Sequence, residues 1–347
     1  MPTPADLAQP FAPWLLAHPG PVAVLCHSDG DGLTSGAILA HSLRRAGRTV
    51  AVEVTGKGGG AWHPDTAARL LAHRPAALVV ADLGCRAEPV LPGVPTCFID
   101  HHRPTGTPPG DLLVTGYGSD PTPTSGLLAW ECGKLVADVA DLDWIAAVSV
   151  LSDLGDAAPF PILQEVRARH KITHLRDATA LLNAPRRTGS GDARPALDLL
   201  LKATTAKDVT AGPFPEVAQL KAAKAEVSAA FAAGKKAAPQ IVGDVALVRV
   251  HSPCQVHPMV AQIWRTRLNK SIVMVANSGY LPGRVNFSMR TATGTNILDF
   301  LRQHRPADAG PDYGNGHDQA AGGSLPYPVW NTFITSLGFG PAATVEV

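Results

Sequence analysis

The sequence predicts two α/β domains, the first built on a parallel sheet, the second smaller. Short, continuously apolar runs alternate with helix-period segments in the first half of the chain, the pattern of strands buried on both faces. A Pro-bounded helix rich in Ala and Lys follows over residues 213–238. Strand signals then return over roughly the last 100 residues, enough for a second compact domain.

The elements follow in order. Residues 21–27 (PVAVLCH) read as a buried strand, and after Gly-rich punctuation residues 33–46 read as a helix. Residues 49–55 (TVAVEVT), 76–83 (AALVVADL) and 96–101 (TCFIDH) are further strands, with 111–115 as a fifth. Residues 124–203 are mostly helical and include an apolar helix over 142–151. In the helix over 213–238, Val217, Leu220, Val227 and Phe231 share one stripe, with Lys221, Lys224 and Glu226 largely off it. Strands follow at 245–250, 272–276 and 284–290, with helices at 257–268, opened by His257-Pro258, and at 296–304. The expected division is a first domain over 1–205, a linker helix over 206–240 and a second domain over 241–347.

Composition narrows the function classes. With 347 residues, 45% hydrophobic and 17% charged, the chain is neither disordered nor a coiled coil and buries cores without staples. No apolar run reaches the ~18 residues of a membrane span, and the start lacks the pattern of a signal peptide, so no membrane partner is expected. Lys and Arg number 30 against 29 acidic residues, which leaves no basic field for a long nucleic acid. The five cysteines form no C-x-x-C pair, which fits a reduced, cytoplasmic chain. A homodimer is compatible with all of this.

The chemistry-bearing residues sit where elements end. The first strand runs into His27-Ser28-Asp29-Gly30-Asp31-Gly32, the third ends at Asp82-Leu83-Gly84, and the fourth at Asp100-His101-His102. The apolar helix ends in Ser152-Asp153-Leu154-Gly155-Asp156. Taken singly, each has an ordinary reading as a turn or a cap, and for Asp156 the helix cap is the preferred one. Taken together, the three strand ends converge on one crevice, because ligands of open parallel sheets bind beyond the carboxyl ends of the strands. Carboxylates crowded there repel one another unless cations neutralise them, and oxygen ligands with a few imidazoles suit Mn²⁺ or Mg²⁺. Thr55-Gly56-Lys57-Gly58-Gly59-Gly60 lacks the phosphate-loop pattern and a close following helix, so it reads as a flexible loop. Arg186-Arg187 and Lys235-Lys236 read as solvated surface pairs.

This order of motifs resembles the DHH phosphoesterase superfamily, in particular its RecJ-like branch. Gly314-Asn315-Gly316-His317-Asp318-Gln319-Ala320-Ala321-Gly322-Gly323, preceded by Phe287-Ser288-Met289-Arg290, is similar to the glycine-histidine signature and serine-arginine strand of the DHH-associated C-terminal domain. The resemblance runs from Val22 to Leu325. It implies a hydrolase of phosphate esters with two Mn²⁺, or Mg²⁺ in their place, and an active-site cleft between the domains. Carried over, Asp29 and Asp82 hold one ion; Asp31, Asp82, His101 and Asp153 hold the other, with Asp82 bridging. Some members place a histidine four residues before the first aspartate, where this chain has Leu25; His27 stands in as the candidate ligand. His102 would sit near the scissile phosphate. Arg290, Gly316, His317, Gly322 and Gly323 would grip the substrate's phosphate, with the backbone near Gly316 opening a helix. Asn315 departs from the usual glycine, a change that a tolerance of positive φ absorbs.

The family's substrates range from long single strands to cyclic dinucleotides. The near-neutral charge, scattered tryptophans and the lack of room for an added nucleic-acid barrel favour a short one. The expectation is a phosphodiesterase acting on a cyclic dinucleotide such as cyclic di-AMP, a linear dinucleotide or a very short oligonucleotide, releasing nucleoside 5′-monophosphates. The alternatives are a RecJ-like 5′-to-3′ single-strand exonuclease and, in another class, a degenerate non-catalytic scaffold. A scaffold would have lost metal-ligand residues, and none of Asp29, Asp31, Asp82, His101 and Asp153 is missing.

Overall fold

The structure is a computed structural model that describes residues 2–268, 270–310 and 312–346. It divides into two units, residues 1–186 with 192–224 and residues 187–191 with 225–347. Among the described residues no helix is long and apolar enough to cross a membrane.

The first unit opens with two helices that the sequence pattern did not reveal, α1 (Pro4–Ala8) and α2 (Phe11–Ala17). Then come β1 (Val22–Cys26), α3 (Gly30–Arg45), β2 (Val50–Val54), α4 (Pro64–Ala72), β3 (Ala77–Ala81), β4 (Thr96–Asp100) and β5 (Leu112–Thr115). The strands form one sheet in the order β2-β1-β3-β4-β5, every pair parallel. Helices α5 (Ser125–Lys134), α6 (Asp143–Asp153), α7 (Ile162–Arg167), α8 (Ile172–Leu182), α9 (Arg194–Leu200) and α10 (Ala206–Ala211) follow. Helix α11 (Pro215–Gly234) contains the division between the units, at Lys224.

The sheet carries a core on each face, which explains its unbroken apolar runs. Along β1, Val22, Val24 and Cys26 join the large core built with α3, α5 and α6, whereas Ala23 and Leu25 join the smaller core with Leu70 of α4. β3 alternates in the same way, with Val79 and Ala81 on one side and Leu78 and Val80 on the other. Helix α4 follows the Gly56–Gly60 loop within a few residues, so the expectation of no close helix there is corrected: Pro64 occupies its first turn and the His63 side chain accepts from Asp65 N.

The second unit contains β6 (Pro239–Val242), β7 (Val245–Val250), α12 (His257–Arg267), β8 (Ile272–Asn277), β9 (Arg284–Arg290), α13 (Ile297–Gln303), β10 (Tyr313–His317), β11 (Ala320–Pro326) and α14 (Tyr327–Ser336). Its sheet runs β10-β11-β9-β8-β7-β6, with only β7 and β8 parallel. Pro239, read as a helix end, also starts the edge strand β6, a position where its missing N–H is tolerated.

One sequence expectation is corrected here. Gly316 does not open a helix; it lies in β10 of a hairpin closed by Asp318-Gln319. The glycines serve strand packing. A Cβ at Gly316, whose φ is +132°, would meet Ala320 O at 2.4 Å, and one at Gly322 would meet Phe287 O at 2.2 Å. Register pairs Arg290 with Ala320 and Ala320 with His317, so Arg290 and His317 lie on one face, two strands apart.

Gly322→Ala should therefore destabilise the second unit by about 1–3 kcal/mol, the usual cost of overpacking. A denaturation midpoint equal to that of the wild type would show that the backbones are not so closely opposed.

Candidate metal centre

Strand order places the site. β1 lies between β2 and β3, so the connections leaving β1 and β3 diverge on either side of the gap between them. That topological switch point is where an open parallel sheet leaves a crevice beyond its carboxyl ends. His27 follows β1, Asp82 follows β3, and His101 and His102 follow β4.

Asp29 is both cap and site residue. It is the N-cap of α3, with Oδ1 accepting from Gly32 N at 3.0 Å, while Oδ2 lies 3.1 Å from His27 Nδ1 and 3.8 Å from Arg186 Nη2. Burial works to raise its pKa, but His27, Arg186 and the Gly32 N–H outweigh that and hold it well below the usual carboxylate value. Asp31, in the first turn of α3, is fully buried. Burial pushes its pKa up to about 6, with Asp29 adding and Ser149 and the α5 backbone opposing.

Asp82 sits at φ +63°, in the left-handed region that Asp tolerates better than most side chains, at the point where β3 turns away. Its side chain is 2% exposed, and burial together with Asp31, Asp29, Asp100 and Asp153 drives its pKa well upward. His101 Nε2 lies 3.6 Å from both Asp82 Oδ1 and Asp153 Oδ2, and burial lowers its pKa. His102 Nδ1 lies 3.8 Å from Asp82 Oδ1 and 2.9 Å from Asp100 Oδ1. Asp100 also accepts from His102 N and, through Oδ2, from Gly84 N, each at 2.6 Å. The bond to Asp100 raises the His102 pKa.

Three ligand-competent groups result: His27, Asp29 and Asp82; Asp82, His101 and His102; and Asp31, His101 and Asp153. Within each, one donor atom per residue lies within 4.8 Å of the others. His27 Nδ1 is buried and near two carboxylates, yet makes no aligned hydrogen bond, the state of a ligand atom rather than of a satisfied core histidine. The donor set of carboxylates with a minority of imidazoles fits a hard divalent cation.

The structure thus brings together His27, Asp29, Asp31, Asp82, His101, His102 and Asp153, all in the first unit. Arg290, Gly316, His317, Gly322 and Gly323 are together in the second. Asp156 does not cap a helix: its carboxylate pairs with Arg176 at 2.7 Å, and Pro161 stands before α7. Sequence reasoning missed Asp100, although it belongs to the Asp-His-His triplet that ends β4. It also misplaced Arg186, which is no solvated surface residue: it lies beside Asp29 with Nε buried and unpartnered. No local signal marked Asn183, which accepts from Gly30 N at 3.0 Å and donates to Ser152 Oγ at 3.0 Å, tying the first motif to the end of α6.

No family profile and no curated protein matches the chain. Solved structures do. Exonuclease RecJ bound to manganese is 21% identical over 97% of this chain and 94% of that one, with a TM-score of 0.68. RecJ from Thermus thermophilus in complex with Mn²⁺ is 18% identical with a TM-score of 0.68; the match covers 96% of this chain, which spans only 54% of that one. The DHH domain of a member of the s1p family of ribosomal proteins is 14% identical over 96% of this chain and 92% of its own, with a TM-score of 0.67. At such identities the likeness establishes the fold.

Burial, with Asp31 and Asp29 adding repulsion, pushes the Asp153 carboxyl up to about 7. Its folded pKa exceeds the unfolded value of 3.8, so in the metal-free protein its charging weakens the fold as pH rises from about 4 to about 7. Asp153→Asn removes that loss. Measured by chemical denaturation in chelator, the variant's gain over wild type should be larger at about pH 8 than at about pH 5. An equal difference at both would show that Asp153 stands outside the repelling cluster.

Proposed function

We propose that this chain, whose fold is that of the DHH phosphoesterase superfamily, is a two-metal phosphodiesterase acting on short nucleotides. The observation that carries the reading is the set of three ligand-competent groups joined through Asp82 and His101. His27, Asp29 and Asp82 would hold one Mn²⁺, and Asp31, Asp82, His101 and Asp153 the other. Such a pair, when bound, supplies hydroxide near neutral pH and neutralises charge on the phosphoryl oxygens.

The chain's own side chains supply the rest. His102 has Nδ1 committed to Asp100, which leaves Nε2 for the scissile phosphate, and the raised pKa favours the protonated ring that a leaving oxygen needs. Arg186 adds a fixed positive charge beside Asp29. Arg290, His317 and the glycines Gly316, Gly322 and Gly323 form the substrate grip of this proposal, holding a second phosphate. The absence of disulfides among the five buried cysteines fits a reducing, cytoplasmic place of action.

The substrate in this reading is a cyclic dinucleotide such as cyclic di-AMP, its linear dinucleotide or a very short oligonucleotide, cleaved to nucleoside 5′-monophosphates. A net charge of +1 supports it. So does the aromatic distribution: among the described Phe, Trp and Tyr residues only Tyr117 is exposed, at 49%, so these side chains form no stacking track for a strand. A RecJ-like single-strand exonuclease is the second reading, favoured by the match to the manganese-bound exonuclease. This chain covers 94% of that one, so the extent of the match does not separate the two readings.

Two measurements test the proposal. Wild-type protein saturated with Mn²⁺ should hold two ions per chain. Asp82→Ala should hold fewer and lose turnover entirely, because Asp82 belongs to two of the ligand groups; near-wild-type turnover in that variant would remove the assignment. Incubated with Mn²⁺ and cyclic di-AMP, a linear dinucleotide, bisphosphorylated adenosine and a 30-mer single strand, the protein should show its highest kcat/KM on a dinucleotide. Arg290→Ala and His317→Ala should raise KM for that dinucleotide about tenfold or more with metal content intact. A higher kcat/KM on the 30-mer would install the exonuclease reading instead.

A further inference from the structure

Asp31 is enclosed by hydrogen-bond donors from helices α5 and α6. Ser125 N donates to Oδ2 at 2.9 Å, Gly126 N donates to Oδ1 at 2.7 Å, and Ser149 Oγ donates to Oδ1 at 2.6 Å. The Ser125 hydroxyl meanwhile donates to Asp82 Oδ1 at 3.0 Å. Thr124, the N-cap of α5, accepts from Leu127 N at 3.3 Å and lies 2.5 Å from Ser149 Oγ. Proton order follows from those contacts. Thr124 accepts from the helix and donates to Ser149, which leaves the Ser149 proton for the carboxylate.

The closeness of the two helices is built in. A Cβ on Gly126 would meet Ser149 Cβ at 2.5 Å and Ser149 Oγ at 2.6 Å, so only glycine lets α5 and α6 approach this far. All five residues, Asp31, Thr124, Ser125, Gly126 and Ser149, are buried, so these donors have no water to exchange with.

A carboxylate offers about four acceptor positions, two on each oxygen. On Asp31, Oδ1 has both taken, by Gly126 N and Ser149 Oγ, and Oδ2 has one taken, by Ser125 N. Among the described residues the Asp82 side chain accepts a single hydrogen bond, on Oδ1, from the Ser125 hydroxyl. We propose that Ser125 and Ser149 are positioning residues of the metal centre: with the first turn of α5 they leave Asp31 one open position, on Oδ2, so that it takes a divalent cation through a single oxygen. Asp82, with a position open on each oxygen, is left to serve two cations. The inference rests on the metal-centre reading above and adds to it the denticity of each aspartate and the residues that set it.

The test is Mn²⁺ titration by calorimetry on wild type, Ser149→Ala and Ser125→Ala, with Ser42→Ala as control. Ser42 is a buried helical serine bonded only to Ile38 O, so its replacement has the same chemistry without touching the site. Outer partners of metal ligands contribute roughly 10–100-fold in affinity. Ser149→Ala should weaken one of the two Mn²⁺ sites by about that factor and spare the other, Ser125→Ala should weaken both, and Ser42→Ala should change neither. Affinities of all three variants within about twofold of a wild type that itself binds two Mn²⁺ would overturn the inference and leave the metal reading standing. A wild type that binds no Mn²⁺ would overturn both. Should a variant not fold by circular dichroism, a crystal structure of Mn²⁺-loaded wild type decides: one Asp31 oxygen at bonding distance supports the inference, and two overturn it.

Discussion

Mutual repulsion among crowded carboxylates, the innermost of them buried, is the constraint on which the first unit depends. Asp29, Asp31, Asp82 and Asp153 converge beyond one end of the sheet, and Asp100 lies directly behind them. Asp31, Asp82 and Asp100 are buried, where water screens them poorly, so the fold must offset the repulsion there with fixed donors. His27 and Arg186 flank Asp29, the start of α5 and Ser149 hold Asp31, Ser125 touches Asp82, and the His102 ring with the Gly84 amide holds Asp100. The arrangement leaves unequal charge tolerance: Asp29 and Asp100 stay ionised easily, whereas Asp31, Asp82 and Asp153 resist ionisation. A divalent cation bound among them would reverse that resistance.

The rest of the unit can be understood as a frame for this cluster. A parallel sheet with apolar side chains on both faces has no polar surface except at its ends, so chemistry collects there. The positive φ at Asp82 and the close packing at Gly30, where a Cβ would lie 2.5 Å from Ser152 Oγ, show backbone geometry adapted to bring strand end and helix end together. In the second unit glycines have a different task. They let β9, β10 and β11 run close together and in register, and that register aligns Arg290 with His317.

Much of this was legible in the linear order. Continuous apolar runs ending in Asp or His marked β1, β3 and β4, because a strand buried on both faces cannot hide polar residues until it ends. The seven first-unit residues carried over from the motifs lie together in the structure. The hairpin was not legible: Gly314–Gly323 has the composition of a loop, and its strand character comes only from pairing with β9. Helices α1 and α2 are short and flanked by Pro and Gly, so their periodicity is too brief to register.

By itself the sequence determined the two α/β units, the strand ends that carry carboxylates and imidazoles, and the identity of the ligand-competent side chains, since periodicity and element termini are local properties. Tertiary structure alone decided which groups restrain them. Ser125 and Gly126 reach Asp31 across sequence separations of 94 and 95 residues and Ser149 across 118, Asn183 reaches Gly30 across 153, and Arg186 pairs with Asp29 from further along the chain still. Nothing local distinguishes such a serine from any other helical serine. Its role exists only once α5 and α6 pack against α3, where burial removes competing water and makes one hydroxyl's direction matter.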